Sequence, residues 1–515
     1  MYRSFFLLLI GLTISVATFG QSKAKNPIIH ADVPDVSMIR VGDNYYMSST
    51  TMHMSPGVPI MKSTDLVNWE LVSYAYDRLE ENDALNMENG KNAYGKGSWA
   101  SSLRYHDGMF YVSTFSSTTG KTHIYYTKDI ESDQWSEKSF SPSLHDNSLV
   151  FDKGKVYMIY GNGRLNIVEL KTDLTGIIPG TDRVLIENAS APAGPNIMLG
   201  AEGSQLFKVH GKYYLFDITW PRGGMRTVVV HRADNITGPY EGRLSFQDRG
   251  VAQGGLVDTP EGDWYAFLFK DNGAVGRIPY LVPVTWEDGW PIIGVDGKVP
   301  QSLDLPQRKG LIPGVVGSDD FKRAAAEAAL PLVWQWNHNP VNSNWSLTER
   351  PGYLRLKTIR LDSSVVAARN TLTQRTFGPT SQGETSITFS NMKSGDLAGL
   401  VLLAEYFGYV GVKKEKNKTY IVYAVNEGGK ETIKEKIPLQ KGSQVYLKAV
   451  CDYTGMKDQA KFYYSLDGNS WEAIGELLKM RYTLTHFMGY RFGLFNYATR
   501  HVGGTVDFDY FKIKN

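Results

Sequence analysis

Three acidic residues, Asp35, Asp146 and Glu202, stand at the heads of apolar, strand-forming runs. A turn glycine (Gly42, Gly154 or Gly211) follows each of them seven to nine residues later, and an aromatic-rich run comes next. The pattern is fullest where Glu202 heads a strand that turns at His210-Gly211 and returns through Tyr213-Tyr214-Leu215-Phe216. Taken singly, Asp35 or Asp146 suits a turn or cap role, satisfying backbone N–H groups. At matching places in a repeat, three carboxyls brought to one pocket have a chemistry. Mutual repulsion and partial desolvation raise at least one pKa, leaving an acid that keeps its proton near neutrality. Cleavage of a glycosidic bond asks for that combination: a protonated carboxyl for the departing oxygen and a carboxylate on the opposite face. A third carboxyl can hold and tune the donor.

The elements that must position these acids repeat. Segments 36–49, 103–115, 148–160, 205–219 and 255–270 each read as an apolar strand, a Gly- or Asp-centred turn and an aromatic strand. Further alternating strands follow, as at 122–127 and 226–232. The turn glycines Gly42, Gly108, Gly154, Gly211 and Gly262 recur roughly 45–65 residues apart, a spacing that suggests the blades of a β-propeller. Five units imply five blades, and radial packing brings equivalent strand heads to one axis. Units two and five offer Ser101 and Gly255 where the others carry an acid. A β-sandwich is the alternative, but it would not repeat one signature five times. A Pro/Gly-rich linker follows residue 305, and beyond it short alternating strands at 353–357, 365–369, 444–450 and 461–464 read as a β-sandwich. The run 324–329 is the one helix-like piece.

Composition bounds the function. A chain of 515 residues, 42% hydrophobic and 21% charged, has room for two globular domains. The aromatic share of 12%, with 30 Tyr and 11 Trp, fits β structure and also suits stacking on sugars. The charge of +2 balances 55 basic against 53 acidic residues with no basic stripe, which argues against nucleic acid or an anionic membrane as partner. The dense run 413–418 reads as a solvated hairpin tip. Arg3 and an apolar stretch from Phe5 to Phe19 resemble a cleaved secretory leader ending near Gly20, so the mature protein is expected in the periplasm or outside the cell, not inserted in a membrane. Cys451 is the single cysteine, so no intrachain disulfide forms. No zinc or phosphate-loop motif is present at a credible position.

The residues carry a resemblance. Pro34-Asp35-Val36-Ser37, Ser63-Thr64-Asp65-Leu66-Val67-Asn68-Trp69, Asp146-Asn147-Ser148-Leu149, Ala201-Glu202-Gly203 and Gly276-Arg277 together resemble glycoside hydrolase family 43. Trp334-Gln335-Trp336 and Asn344-Trp345-Ser346 are similar to the accessory domain of its β-xylosidases and α-L-arabinofuranosidases. The resemblance implies an all-β chain: a leader over 1–20, a five-bladed β-propeller over 27–305, a linker over 306–317 and a concanavalin-like jelly-roll sandwich over 318–515. It implies an inverting reaction with Asp35 as general base, Glu202 as general acid and Asp146 raising and orienting Glu202. Arg277 would bind a sugar hydroxyl or hold a carboxylate, and His53 would lie in a stretch that shapes the pocket; Trp99 is a candidate for stacking on the sugar, with a buried blade-core tryptophan as the alternative. The chain departs from the family in lacking prolines beside the acids: Val36, Asn147 and Ser204 stand there, and Trp99-Ala100-Ser101 replaces Trp-Ala-Pro. The expected substrate is an oligosaccharide, trimmed of terminal arabinofuranosyl or xylosyl units. No cofactor is required, and the calcium that some members carry is not called for. The sequence leaves monomer and homo-oligomer open. A non-catalytic carbohydrate-binding propeller and a retaining fructan hydrolase are the competing readings; the first is opposed by the intact acids, the second by missing signatures.

Overall fold

The computed structural model describes residues 23–310, 314–323, 329–439 and 442–515. The leader-like run lies outside the described residues, as do 311–313 of the linker and 324–328 of the helix-like run. Among the described residues the helical elements are short 3-10 turns, and no helix is long and apolar enough to cross a membrane.

Five four-stranded antiparallel sheets form the first domain. Their innermost strands are Ser37–Val41, Ser102–His106, Ser148–Asp152, Ile197–Val209 and Ala252–Asp258, and each contacts the next, the fifth closing on the first. This ring is a five-bladed propeller. Each blade opens with a hairpin, as the turn chemistry requires. In blades two, three and four the turn is a two-residue pair with both φ values positive: Asp107-Gly108, Lys153-Gly154 and His210-Gly211. A side chain added at Gly108, Gly154 or Gly211 would meet no atom within 4 Å, so glycine is needed there for backbone conformation and not for space. The fifth hairpin differs, pairing Asp258 with Trp264 across a longer loop.

The blades are pinned to one another near the axis by serine hydroxyls. Ser37 Oγ accepts from Leu103 N (3.0 Å), Ser102 Oγ from Leu149 N (3.2 Å) and Ser148 Oγ from Leu206 N (3.1 Å). These contacts fix the structural equivalence of Ser37, Ser102, Ser148 and Gln205, and with it the equivalence of whatever stands two residues ahead of each.

The second domain packs an eight-stranded sheet on a seven-stranded one, the expected sandwich. One expectation fails locally. Residues 365–369 are not a strand: Val365–Ala367 is a 3-10 turn, held because Glu431 Oε2 accepts from Ser364 Oγ and Val365 N. The strand of this region is Leu372–Arg375. The domains share main chain as well as side chains. Met54–Ser55, from blade one, forms the edge of the eight-stranded sheet by pairing with Gln335–Asn337. One hydrophobic core runs from Ala24 and Val36 in the propeller to Phe508 and Phe511 in the sandwich. A chain ending at residue 317 therefore leaves Met54–Ser55 without its pairing strand and uncovers apolar surface. We expect that fragment to aggregate or to unfold well below the full chain. A monodisperse fragment on gel filtration with an unchanged melting midpoint would contradict this.

Candidate functional site

The strand heads meet, but in a register that counting from the turn glycines misses. Two residues ahead of the equivalent positions stand Asp35, Ala100, Asp146, Gly203 and, in blade five, Gln253. Four of these are in the left-handed region: Asp35 (φ 51°), Asp146 (φ 47°), Gly203 (φ 68°) and Gln253 (φ 57°). All five line one narrow hollow on the axis. Left-handed backbone in three non-glycine residues is the kind of local strain that clusters at functional sites. Glu202 thus precedes the blade-four equivalent by one residue, where pairing with the neighbouring strand is irregular. Its carboxylate is held from the side by the chain of blade three.

Asp35 is 6% exposed and bound to Arg277, whose Nη1 lies 2.9 Å from both carboxylate oxygens. Gln253 Nε2 donates to the same Oδ1 at 3.2 Å. Burial, the dominant influence, raises the Asp35 pKa against the opposing pull of the Arg277 guanidinium. Asp146, 7% exposed, accepts from Gly203 N at 3.0 Å. Burial pushes its carboxyl up to about 7; His145 opposes the shift, while the charges of Glu202 and Asp35 add to it. A Cβ on Gly203 would come within 2.7 Å of Gln253 Nε2, so this position needs glycine for space as well as for φ.

Two donors that the sequence reading overlooked fix Glu202. His145 Nε2 lies 2.9 Å from Glu202 Oε2, and Asn162 Nδ2 donates to the same oxygen at 2.5 Å. Burial works against a charged His145, yet the hydrogen bond to Glu202 and the charges of Asp146 and Glu202 hold its pKa above the usual value. With both donors on Oε2, Oε1 is left to face a ligand. Among the described residues, His145, Asp146 and Glu202 are also the one group of acids and histidines whose ligand atoms lie within 4.8 Å of one another. The hydrogen bond between His145 and Glu202 already accounts for that closeness.

The sandwich completes the site. Phe487 packs over the Arg277 guanidinium, 4.5 Å from ring centroid to Cζ, and its ring lies 5.3 Å from that of Trp99. Trp99 is half-buried between Phe487 and Phe115, one edge of an aromatic wall beside the acids. The Phe487 turn is tied down by Asp32, which accepts Gly489 N at 3.0 Å on one carboxylate oxygen and Arg277 N at 2.7 Å on the other. His53 is a correction. It is 1% exposed, hydrogen-bonded to Asn337 and packed against His338 and Tyr94 in the domain interface. Met52 and Met54 are buried with it, because the strand at Met54–Ser55 is drawn into the sandwich sheet.

The Asp146 shift has a consequence for stability. The folded chain keeps this proton up to about pH 7, whereas an unfolded aspartate loses it near 3.8. The folded state therefore holds the extra proton between those limits, and stability that is full at the acid end falls as pH rises through about 7. Asp146→Asn, which has no such proton to lose, should gain about 2 kcal/mol on the parent at pH 8 relative to pH 5. Urea unfolding at the two pH values measures this, and an unchanged difference would refute it.

Comparison with known proteins agrees with the geometry. The family model Glycosyl hydrolases family 43 matches residues 24–291, and the Beta xylosidase C-terminal Concanavalin A-like domain matches residues 318–514. A beta-xylosidase of Formosa agariphila is 30% identical over 94% of this chain and 89% of its own. A non-reducing end alpha-L-arabinofuranosidase of Bacteroides ovatus is 30% identical over 78% of this chain and 77% of its own. A solved bifunctional GH43-CE structure from Bacteroides eggerthii superposes with a TM-score of 0.94 at 64% identity. That alignment covers 96% of this chain, which spans 64% of the bifunctional one. The chain belongs to glycosyl hydrolase family 43, its propeller followed by the concanavalin A-like domain of the family's β-xylosidases.

Proposed function

We propose that this hydrolase removes terminal α-L-arabinofuranosyl, or β-D-xylosyl, units from hemicellulose oligosaccharides with inversion at the anomeric carbon. The observation that carries the reading is the division of the acids between two walls. Asp35 is clamped by Arg277 and Gln253 on one side, while Glu202 is held through Oε2 by His145 and Asn162 on the other. Between them Asp146, protonated up to about pH 7, lines the hollow.

In this scheme Asp35 takes a proton from water as that water attacks the anomeric carbon. Glu202 gives its proton, from Oε1, to the departing glycosidic oxygen. After each turnover Asp35 releases its proton to bulk water and Glu202 takes one back from bulk water. His145 and the neighbouring Asp146 orient and tune Glu202, while Arg277 keeps the Asp35 carboxylate aimed. No cofactor enters. Phe487, packed over Arg277, and Trp99 beside it form an aromatic wall that, in this reading, favours chain ends over chain interiors. The relatives' names divide between xylosidase and arabinofuranosidase, and the pocket's neutral aromatic wall is compatible with either pentose.

The two acids fail differently when neutralised. Glu202→Gln should lower kcat by about 10²–10⁴-fold on oligosaccharides, whose leaving alcohols need a proton, and far less on nitrophenyl pentosides, whose leaving phenolates do not. Asp35→Asn should abolish turnover of both. Proton NMR should show the inverted anomer as first product, and paired assays on aryl α-L-arabinofuranoside and aryl β-D-xyloside identify the sugar. Equal losses on both substrate types for Glu202→Gln, or retention of configuration, would reject the assignment.

We also propose that the protein acts outside the cytoplasm, on the strength of Arg3 and the apolar run that follows. The mature protein should then begin near Gln21 on amino-terminal sequencing; an intact Met1 on the active enzyme would argue otherwise.

A further inference from the structure

A second hollow, of about 620 Å3, opens between blade-one residues 87–94 and the sandwich and shares no residue with the catalytic one. Its size falls in the range of sites that bury small ligands, roughly 300–1,000 Å3. Two of its lining side chains are buried and polar, with hydrogen-bonding capacity unused. Asn426 is 8% exposed; its Nδ2 donates to Glu405 O at 2.7 Å, which fixes the amide, yet its Oδ1 has no partner. His486 is 5% exposed and lies flat against Tyr94, centroids 4.0 Å apart and planes 3° from parallel. Neither ring nitrogen of His486 finds a hydrogen bond among the described residues. Buried polar groups left unsatisfied are destabilising, and a hydroxyl-bearing ligand supplies the partners they lack.

The cations in the wall are already paired. Lys91 pairs with Asp83 at 2.8 Å, and Arg360 is engaged by Asp362 and by the carbonyls of Met87 and Ala367. An anionic ligand therefore finds no free cation among the described residues of this wall. Apolar side chains, Leu361 at 56% exposure among them, alternate with these polar groups, matching a molecule with C–H faces and hydroxyl edges. The hollow also backs onto the catalytic site. Phe487 N donates to Thr483 O at 2.8 Å, closing a turn in which Phe487 covers Arg277 and the preceding His486 lines the second hollow.

We propose that this hollow is a second carbohydrate site, taking a neutral pentosyl oligosaccharide. The choice of pentose rests on the function proposed above; the hollow and its unsatisfied groups do not. The test uses full-length Glu202→Gln enzyme titrated calorimetrically with xylotetraose. Two binding events per chain are expected. One of them should be lost, with its affinity down more than tenfold, when Asn426→Leu or the exposed rim change Ser363→Trp is added. Ser363→Trp in otherwise wild-type enzyme should leave aryl-pentoside turnover within about twofold, which shows that the fold survives. A single event in the parent, or two events unaffected by both substitutions, overturns the inference. Absence of aryl-pentoside turnover in the wild type would instead reject the proposed reaction, and the calorimetric count would still decide the second site.

Discussion

One buried carboxylate sets the register of the active centre. Asp32 takes the backbone N–H of Arg277 on one oxygen and that of Gly489 on the other, while its own carbonyl receives Arg375 Nε at 2.8 Å. Blade one, blade five and the sandwich are joined at a single residue. The approach is so close that a Cβ on Gly276 would fall 2.2 Å from Asp32 Oδ1, and one on Gly489 would fall 2.2 Å from Val275 O. Glycine at both places is a consequence of that tie. The position of Arg277 against Asp35, and of Phe487 over Arg277, follows from it. In a low-dielectric site, small displacements of such groups change electrostatic interactions steeply, so a shared anchor is an effective way to hold base, arginine and aromatic cover together.

The acids then differ because their surroundings differ. Asp35 faces a guanidinium and an amide; Asp146 has one backbone N–H, a histidine and two neighbouring carboxylates. Burial acts on both, but only Asp35 has a full positive charge in direct contact to offset it. The two buried aspartates in one hollow thereby acquire distinct protonation behaviour.

The blades were legible in the sequence because a two-residue turn with positive φ at both positions has a narrow residue preference, visible in Asp107-Gly108 and Lys153-Gly154. The sandwich was legible from strand alternation and the linker. What the sequence hid was tertiary. The irregular pairing after Glu202 cannot be counted from a turn glycine, so Glu202 looked equivalent to Asp35 and Asp146 when Gly203 is. His145 drew no notice because a lone histidine beside an acid has no pattern; only the fold sets it against Glu202. His53 was misplaced, and Phe487 missed, for the same reason: each depends on a contact between domains far apart in the chain. The stretch 365–369 alternates like a strand but is captured by Glu431 from a neighbouring strand.

The loan of Met54–Ser55 to the sandwich sheet bears on biosynthesis. A nascent chain emerges from the ribosome amino end first, so blade one appears long before Gln335–Asn337 exists to receive that strand. Its backbone donors and the apolar side chains around it must wait, hydrated or guarded by a chaperone, while some three hundred further residues are translated. The ring of blades can close in that interval, but the seam between the domains is sealed only as synthesis nears its end. Quality control of this enzyme thus falls late, on a chain almost fully made.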